Sequence, residues 1–153
     1  MDKLIELFMD MGRLWDTYHM QYLIGIRNTL ILAVAATLIG FLIGLVCGIL
    51  NTIPYTRQDH VVKRFFLKLV RVVVRIYVEV FRGTPMVLQA VFIYYGLPFF
   101  TDQALQFRGY SGMWIASLLV VSINTGAYMA ESVRGGIISI DPGQTEGAKA
   151  IGM

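Results

Sequence analysis

Apolar and charged positions fall into long blocks along this chain. No Asp, Glu, Lys or Arg occurs between Arg27 and Arg57, between Arg82 and Asp102, or between Arg108 and Glu131. Crossing the hydrocarbon core of a bilayer takes about 20 apolar residues of helix. Blocks of this kind folded into a water-soluble domain as three buried helices would leave little solvent-facing surface. The pattern therefore predicts three transmembrane helices, over about residues 28–50, 84–100 and 110–134.

Within and between the blocks the periodicity is helical. Leu4, Phe8, Met11, Trp15 and Tyr18 recur at helical spacing among acids, so residues 1–22 read as an amphipathic helix at an interface, with aromatics at headgroup level. The other reading is an unstructured polar lead-in. In the first span Ala36, Gly40, Gly44 and Gly48 recur every fourth residue, which lets another helix approach closely without saying which one.

Residues 57–82 read "RQDHVVKRFFLKLVRVVVRIYVEVFR". Arg64, Lys68, Arg71, Arg75, Glu79 and Arg82 form one helical stripe, with Phe65, Leu69, Val72, Val73, Ile76 and Val80 elsewhere around the helix. A strand would split these charges between two faces, so an amphipathic helix at the membrane surface explains more. Its functional rival is a calmodulin-like or lipid-binding basic helix.

The second span opens with Arg82, Gly83, Thr84 and Pro85. Arg82 is placed to snorkel at the membrane surface. The Thr84 hydroxyl is expected to cap the new helix, with Pro85 in its first position, where the missing N–H costs nothing. Gly96 and Pro98 loosen the far end, and Gln89 remains inside. In the third span Ser117, Asn124, Tyr128 and Glu131 share one helical face. Such a face points into a bundle or a water-filled path; for Asn124 a plain helix–helix hydrogen bond is the alternative.

Composition agrees with a membrane chain: of 153 residues, 56% are hydrophobic and 15% charged, against about 25% charged in ordinary soluble domains. The net charge of +3 lies between apolar blocks without aromatic interleaving, which argues against nucleic acid. The opening "MDKLIELFMDMGRLWD" holds four acids and no small-residue cleavage site, unlike a signal peptide. Seven Lys or Arg lie in the connector 51–82 and one in 102–109. Positive residues concentrate on the cytoplasmic side, so the N-terminus is expected outside, with residues 51–82 and 135–153 in the cytoplasm.

Candidate chemistry is thin. No phosphate-binding GxxxxGK[ST] loop occurs, His19 and His60 are isolated, and the one cysteine, Cys47, sits in the first span as a small apolar residue. No catalytic residue, metal site or cofactor is expected. "GYSG" at 109–112 matches the short GxSG pattern of rhomboid-type intramembrane serine proteases. That chemistry needs a histidine on a neighbouring membrane helix, and both histidines fall outside the spans. After the third span, "SIDPGQTEGAKAIGM" reads as a short cytoplasmic helix. Asp141, Pro142 and Gln144 start it, Glu146, Ala148 and Lys149 continue it, and Gly152 stops it.

Three segments, "FRGTPMVLQAVFIYYGLP", "NTGAYMAESVRGGIISID" and "GQTEGAKAIGM", together resemble the permease subunits of ABC importers for polar amino acids. The last is similar to the opening of that family's EAA motif, Glu-Ala-Ala-x-x-x-Gly, at Glu146, Gly147, Ala148 and Gly152. Gly147 departs from it, at about 1 kcal/mol of helix propensity relative to Ala.

The resemblance implies an all-α, polytopic fold, with residues 23–153 the N-terminal part of a larger importer transmembrane domain whose remaining spans would follow Met153. It implies a second permease subunit, identical or sister, an extracytoplasmic solute-binding protein, ABC ATPase subunits and an amino acid substrate. It makes the loop 139–153 an ATPase-docking lever through Gln144, Glu146, Ala148 and Gly152. On the polar-face argument rather than the family's, Gln89, Asn124, Tyr128 and Glu131 are candidates for lining that path, and an Arg82–Glu131 ion pair is expected at the cytoplasmic surface. A passive channel or membrane scaffold needing no ATPase is the alternative; an intramembrane protease is the less favoured one.

Overall fold

The structure is a computed structural model that describes residues 2–56 and 59–152. Within them every regular element is a helix: α1 (Asp2–Thr52), α2 (Val61–Gly83), α3 (Met86–Val91), a π-helical turn (Phe92–Gly96), α4 (Leu97–Phe100), α5 (Gly109–Ile138) and α6 (Pro142–Ala150). The all-α expectation holds. Helix α1 takes in both the N-terminal segment and the first apolar block.

The chain divides into two compact units, Met1–Val34 and Ala35–Met153. The first is the N-terminal part of α1. Its apolar side chains, such as Phe8, Met11 and Trp15, are exposed, and it is ordered by local contacts such as Thr17 Oγ1 donating to Arg13 O at 2.8 Å.

The second unit is built on a ladder of small residues. A β-carbon placed on Gly40 would lie 2.7 Å from Thr125 Cβ, and one on Gly48 would lie 2.7 Å from Val133 Cβ. One on Gly44 would meet Ala130 N at 2.8 Å and Gly126 O at 2.9 Å. The neighbour left open by the small-residue repeat is therefore α5. In α5, Ser122, Gly126 and Ala130 also recur every fourth residue and are buried. The bare glycines of α1 let α5 backbone and the Thr125 and Val133 side chains approach closely, which gives dispersion where lipid offers no hydrophobic drive. Val74 and Val78 of α2 also pack with Ala130 of α5, alongside Cys47, Val70 and Tyr77. Tyr77 Oη donates to Ile123 O at 2.6 Å and pins α2 to α5.

Two of the blocks, in α1 and α5, form helices long and apolar enough to cross a membrane. The block at 84–100 forms a shorter apolar stretch, Met86–Phe100, composed of α3, the π-turn and α4. Pro98 gives a physical reason for the interruption. Its ring would press on the carbonyl four residues back in a regular α-helix, and the wider turn instead lets Leu97 N–H reach Phe92 O.

Candidate functional site

The polar groups of the second unit gather around the end of α2. Helix α2 stops at Gly83, Thr84 and Pro85 are extended, and α3 starts at Met86. The expected Thr84 cap is not formed. Thr84 Oγ1 donates backwards to Val80 O at 2.8 Å, and Pro85 stands outside α3, at the cap position.

What stabilises the break is a pair of amides. In an unbroken helix Phe81 C=O would accept from the N–H of residue 85, and a proline has none. Gln89 Nε2 supplies a donor to Phe81 O at 2.9 Å, and reaches Thr84 O at 3.0 Å and Thr84 Oγ1 at 2.8 Å. Asn124 Nδ2, from α5, donates to the same Phe81 O at 3.1 Å and to Gln89 Oε1 at 3.2 Å. Gln89 is 7% exposed, so without these bonds a primary amide and a carbonyl would be buried unpaired. The helix–helix alternative for Asn124 is thus realised, and it ties α5 to the break.

Towards the C-terminal end of α5 the surroundings become ionic. A cavity of about 500 Å³ is lined by Arg71, Arg75 and Arg82 with Glu79 from α2, and by Arg134 with Glu131 from α5. The expected Arg82–Glu131 pair is not formed. Glu131 Oε1 accepts from Arg134 Nη2 at 2.5 Å, while the Arg82 guanidinium lies over the Tyr128 ring, 5.4 Å from its centroid. A partner one helical turn away on the same helix is reached without spanning the gap to α2. Arg71 donates to Ile53 O at 2.5 Å and packs over the Tyr55 ring at 4.6 Å.

Helix α6 follows from its sequence directly. Asp141 Oδ1 accepts from Gly143 N–H at 2.7 Å and Pro142 opens the first turn. Gln144 N–H donates to Asp141 O at 3.0 Å in the same turn. The helix ends at Ala150; Gly152 N–H donates to Lys149 O at 3.2 Å, and Gly152 has φ +81°, the left-handed conformation that turns the chain away. Gln144 and Glu146 are exposed, and Ala148 is half-buried.

In the connector before α2, Asp59 Oδ1 accepts from Lys63 Nζ at 2.7 Å and Oδ2 from Thr56 N–H at 2.8 Å. The Lys63 ammonium, and then the Thr56 amide, hold its carboxyl below the usual range. Among the described residues no cluster of three or more His, Cys, Asp or Glu is arranged to hold a metal. Ser111, of the protease-like GYSG pattern, is exposed near the start of α5.

Two helices long and apolar enough to cross a membrane pack on a small-residue ladder, and a broken apolar helix is held against α5 by amides. Residues 40–153 match the model of the binding-protein-dependent transport system inner membrane components, and the chain belongs to that family. It is 35% identical over 129 residues to the arginine transport system permease protein ArtQ of Bacillus subtilis, covering 84% of this chain and 51% of ArtQ. It is 33% identical over 130 residues to the glutamine transport system permease protein GlnP of Escherichia coli, covering 84% of this chain and 51% of GlnP. A crystal structure of an amino acid ABC transporter with histidines superposes with a TM-score of 0.70 at 32% identity, over 90% of this chain and 55% of that one. The chain spans about half the length of the curated relatives it matches.

Proposed function

We propose that this chain is permease sequence of an ATP-driven amino acid importer, contributing a wall of the translocation path and a cytoplasmic lever. The observation that carries the reading is the family match over residues 40–153, together with arginine and glutamine transport permeases among the relatives. The chemistry of the chain agrees with it. Its polar groups are spent on shaping and bracing helices, and the work of transport falls to an ATPase.

In this reading residues 51–82 and 135–153 face the cytoplasm and the N-terminus lies outside, as the distribution of Lys and Arg implies. The capped helix α6 docks an ABC ATPase through Gln144, Glu146, Ala148 and Gly152. A solute-binding protein delivers the amino acid from outside, and a second permease subunit completes the path. Tyr128 and Glu131 line that path near its cytoplasmic end. Gln89 and Asn124 belong to its wall by fixing the break at Gly83, Thr84 and Pro85, and Arg82 sits at its edge.

The test is reconstitution in vesicles with the candidate ATPase and binding protein, within a full-length permease. Amino acid uptake that requires ATP and the binding protein supports the reading. Flux that proceeds equally without ATP supports a passive channel and overturns it.

A further inference from the structure

The ionic cavity between the end of α1, α2 and α5 is richer in positive charge than its own carboxylates can balance. Four guanidiniums face two carboxylates, leaving two positive charges in excess. Among the described residues the side-chain ion pairs are Arg13–Asp10, Lys63–Asp59 and Arg134–Glu131. Arg75 and Arg82 take part in none of them, and Arg71 Nε is buried without a hydrogen-bond partner. Guanidiniums grouped in this way suit the oxygens of a phosphate, which they bind in parallel pairs. The remaining wall includes the apolar side chains of Val78 and Ile138, on the two helices that carry the arginines. A site with cationic and apolar walls, in a family of inner membrane components, matches an amphiphile better than a free ion.

We propose that this cavity binds the phosphate headgroup of an anionic phospholipid, with Arg75 and Arg82 as its main ligands and Arg71 in support. The headgroup offsets one of the two excess charges and braces α2 against α5 beside the helix break. The site shares Arg82 and Glu131 with the proposed path, but its test does not rest on the transport reading, because lipid retention is measured on the purified chain without ATPase, binding protein or substrate.

The experiment is native mass spectrometry of the full chain in detergent, titrated with phosphatidylglycerol, phosphatidylcholine or inorganic phosphate. Phosphatidylglycerol is expected to remain bound under conditions that strip phosphatidylcholine. Arg75→Gln with Arg82→Gln is expected to weaken that retention by at least about tenfold, since hydrogen bonds to charged groups are lost. Lys68→Gln with Arg108→Gln removes the same charge outside the cavity and is expected to leave retention unchanged. Circular dichroism checks helix content. If the Gln pair does not fold, Arg75→Lys with Arg82→Lys takes its place, with a smaller but measurable loss because paired contacts become single ones. Equal retention of the two lipids, or equal loss in the control pair, overturns the proposal. Inorganic phosphate binding in the absence of phosphatidylglycerol binding would make the occupant a free anion and overturn the lipid assignment.

Discussion

Replacing Gln89 by leucine isolates the amide that holds the helix break. The volume is nearly conserved, so the change removes hydrogen bonds with little cavity. Three contacts of Nε2 disappear, to Phe81 O, Thr84 O and Thr84 Oγ1, and Asn124 Nδ2 loses its acceptor at Gln89 Oε1. Leaving buried polar groups unpaired costs about 1–3 kcal/mol. The lower half of that range is expected here, because Phe81 O keeps Asn124 and Thr84 Oγ1 keeps Val80 O. Asn124→Leu alone should cost less, near the average of about 0.6 kcal/mol for an interhelical hydrogen bond in a bilayer, because Gln89 still serves Phe81 O. With both replaced, the carbonyl orphaned by Pro85 has neither donor. The double variant should then lose more than the sum of the single ones, by about 1 kcal/mol. The assay is reversible unfolding in mixed micelles, followed by helical circular dichroism as the denaturing detergent fraction rises. Additivity within about 0.3 kcal/mol would refute shared service of Phe81 O. No loss in Gln89→Leu would refute the account of the break.

Three further outcomes follow from the same geometry. Gly44→Ala should destabilise the chain by about 1–3 kcal/mol in the same unfolding assay, because its β-carbon meets α5 backbone at 2.8 and 2.9 Å. Gly147→Ala should raise the helix content of a 139–152 peptide, worth about 1 kcal/mol, since nothing lies within 4 Å of the added carbon. In a Cys47→Ala background, cysteines at Asp10 and Gln103 should react with an impermeant thiol reagent in intact cells, and one at His60 only after lysis. Labelling at His60 in intact cells would reverse the proposed orientation.

The sequence made the elements legible where the signal is local. Asp141, Pro142 and Gly152 mark the two ends of α6, and the helix runs Pro142–Ala150 with Gly152 left-handed beyond it. The repeat Ala36, Gly40, Gly44, Gly48 announced a close contact, but a repeat describes only its own face, and α5 emerged as the partner from the fold. The break at Gly83, Thr84 and Pro85 was visible, yet the Thr84 cap was misassigned. The stronger demand came from Phe81 O, met by Gln89 and by Asn124, which are far from each other in sequence. One signal could have found this: an X-Pro step orphans the carbonyl four residues before the proline, and an amide one turn into the new helix can reach it. The Arg82–Glu131 pair failed for the opposite reason, since Arg134 offered a partner on the same helix. The π-turn before Pro98 was only half-legible, as a loosening at Gly96 and Pro98.

The most direct test of the proposal that the chain couples ATP hydrolysis to amino acid movement through α6 is ATP-driven uptake by Gly152→Leu in vesicles carrying the chain within a full-length permease. A leucine at φ +81° is strained by about 1–2 kcal/mol and puts bulk where the helix stops, away from the membrane helices. The account predicts unchanged membrane levels, loss of ATP-driven uptake and loss of co-purifying ATPase. Full coupled uptake with full ATPase recovery in Gly152→Leu would contradict it.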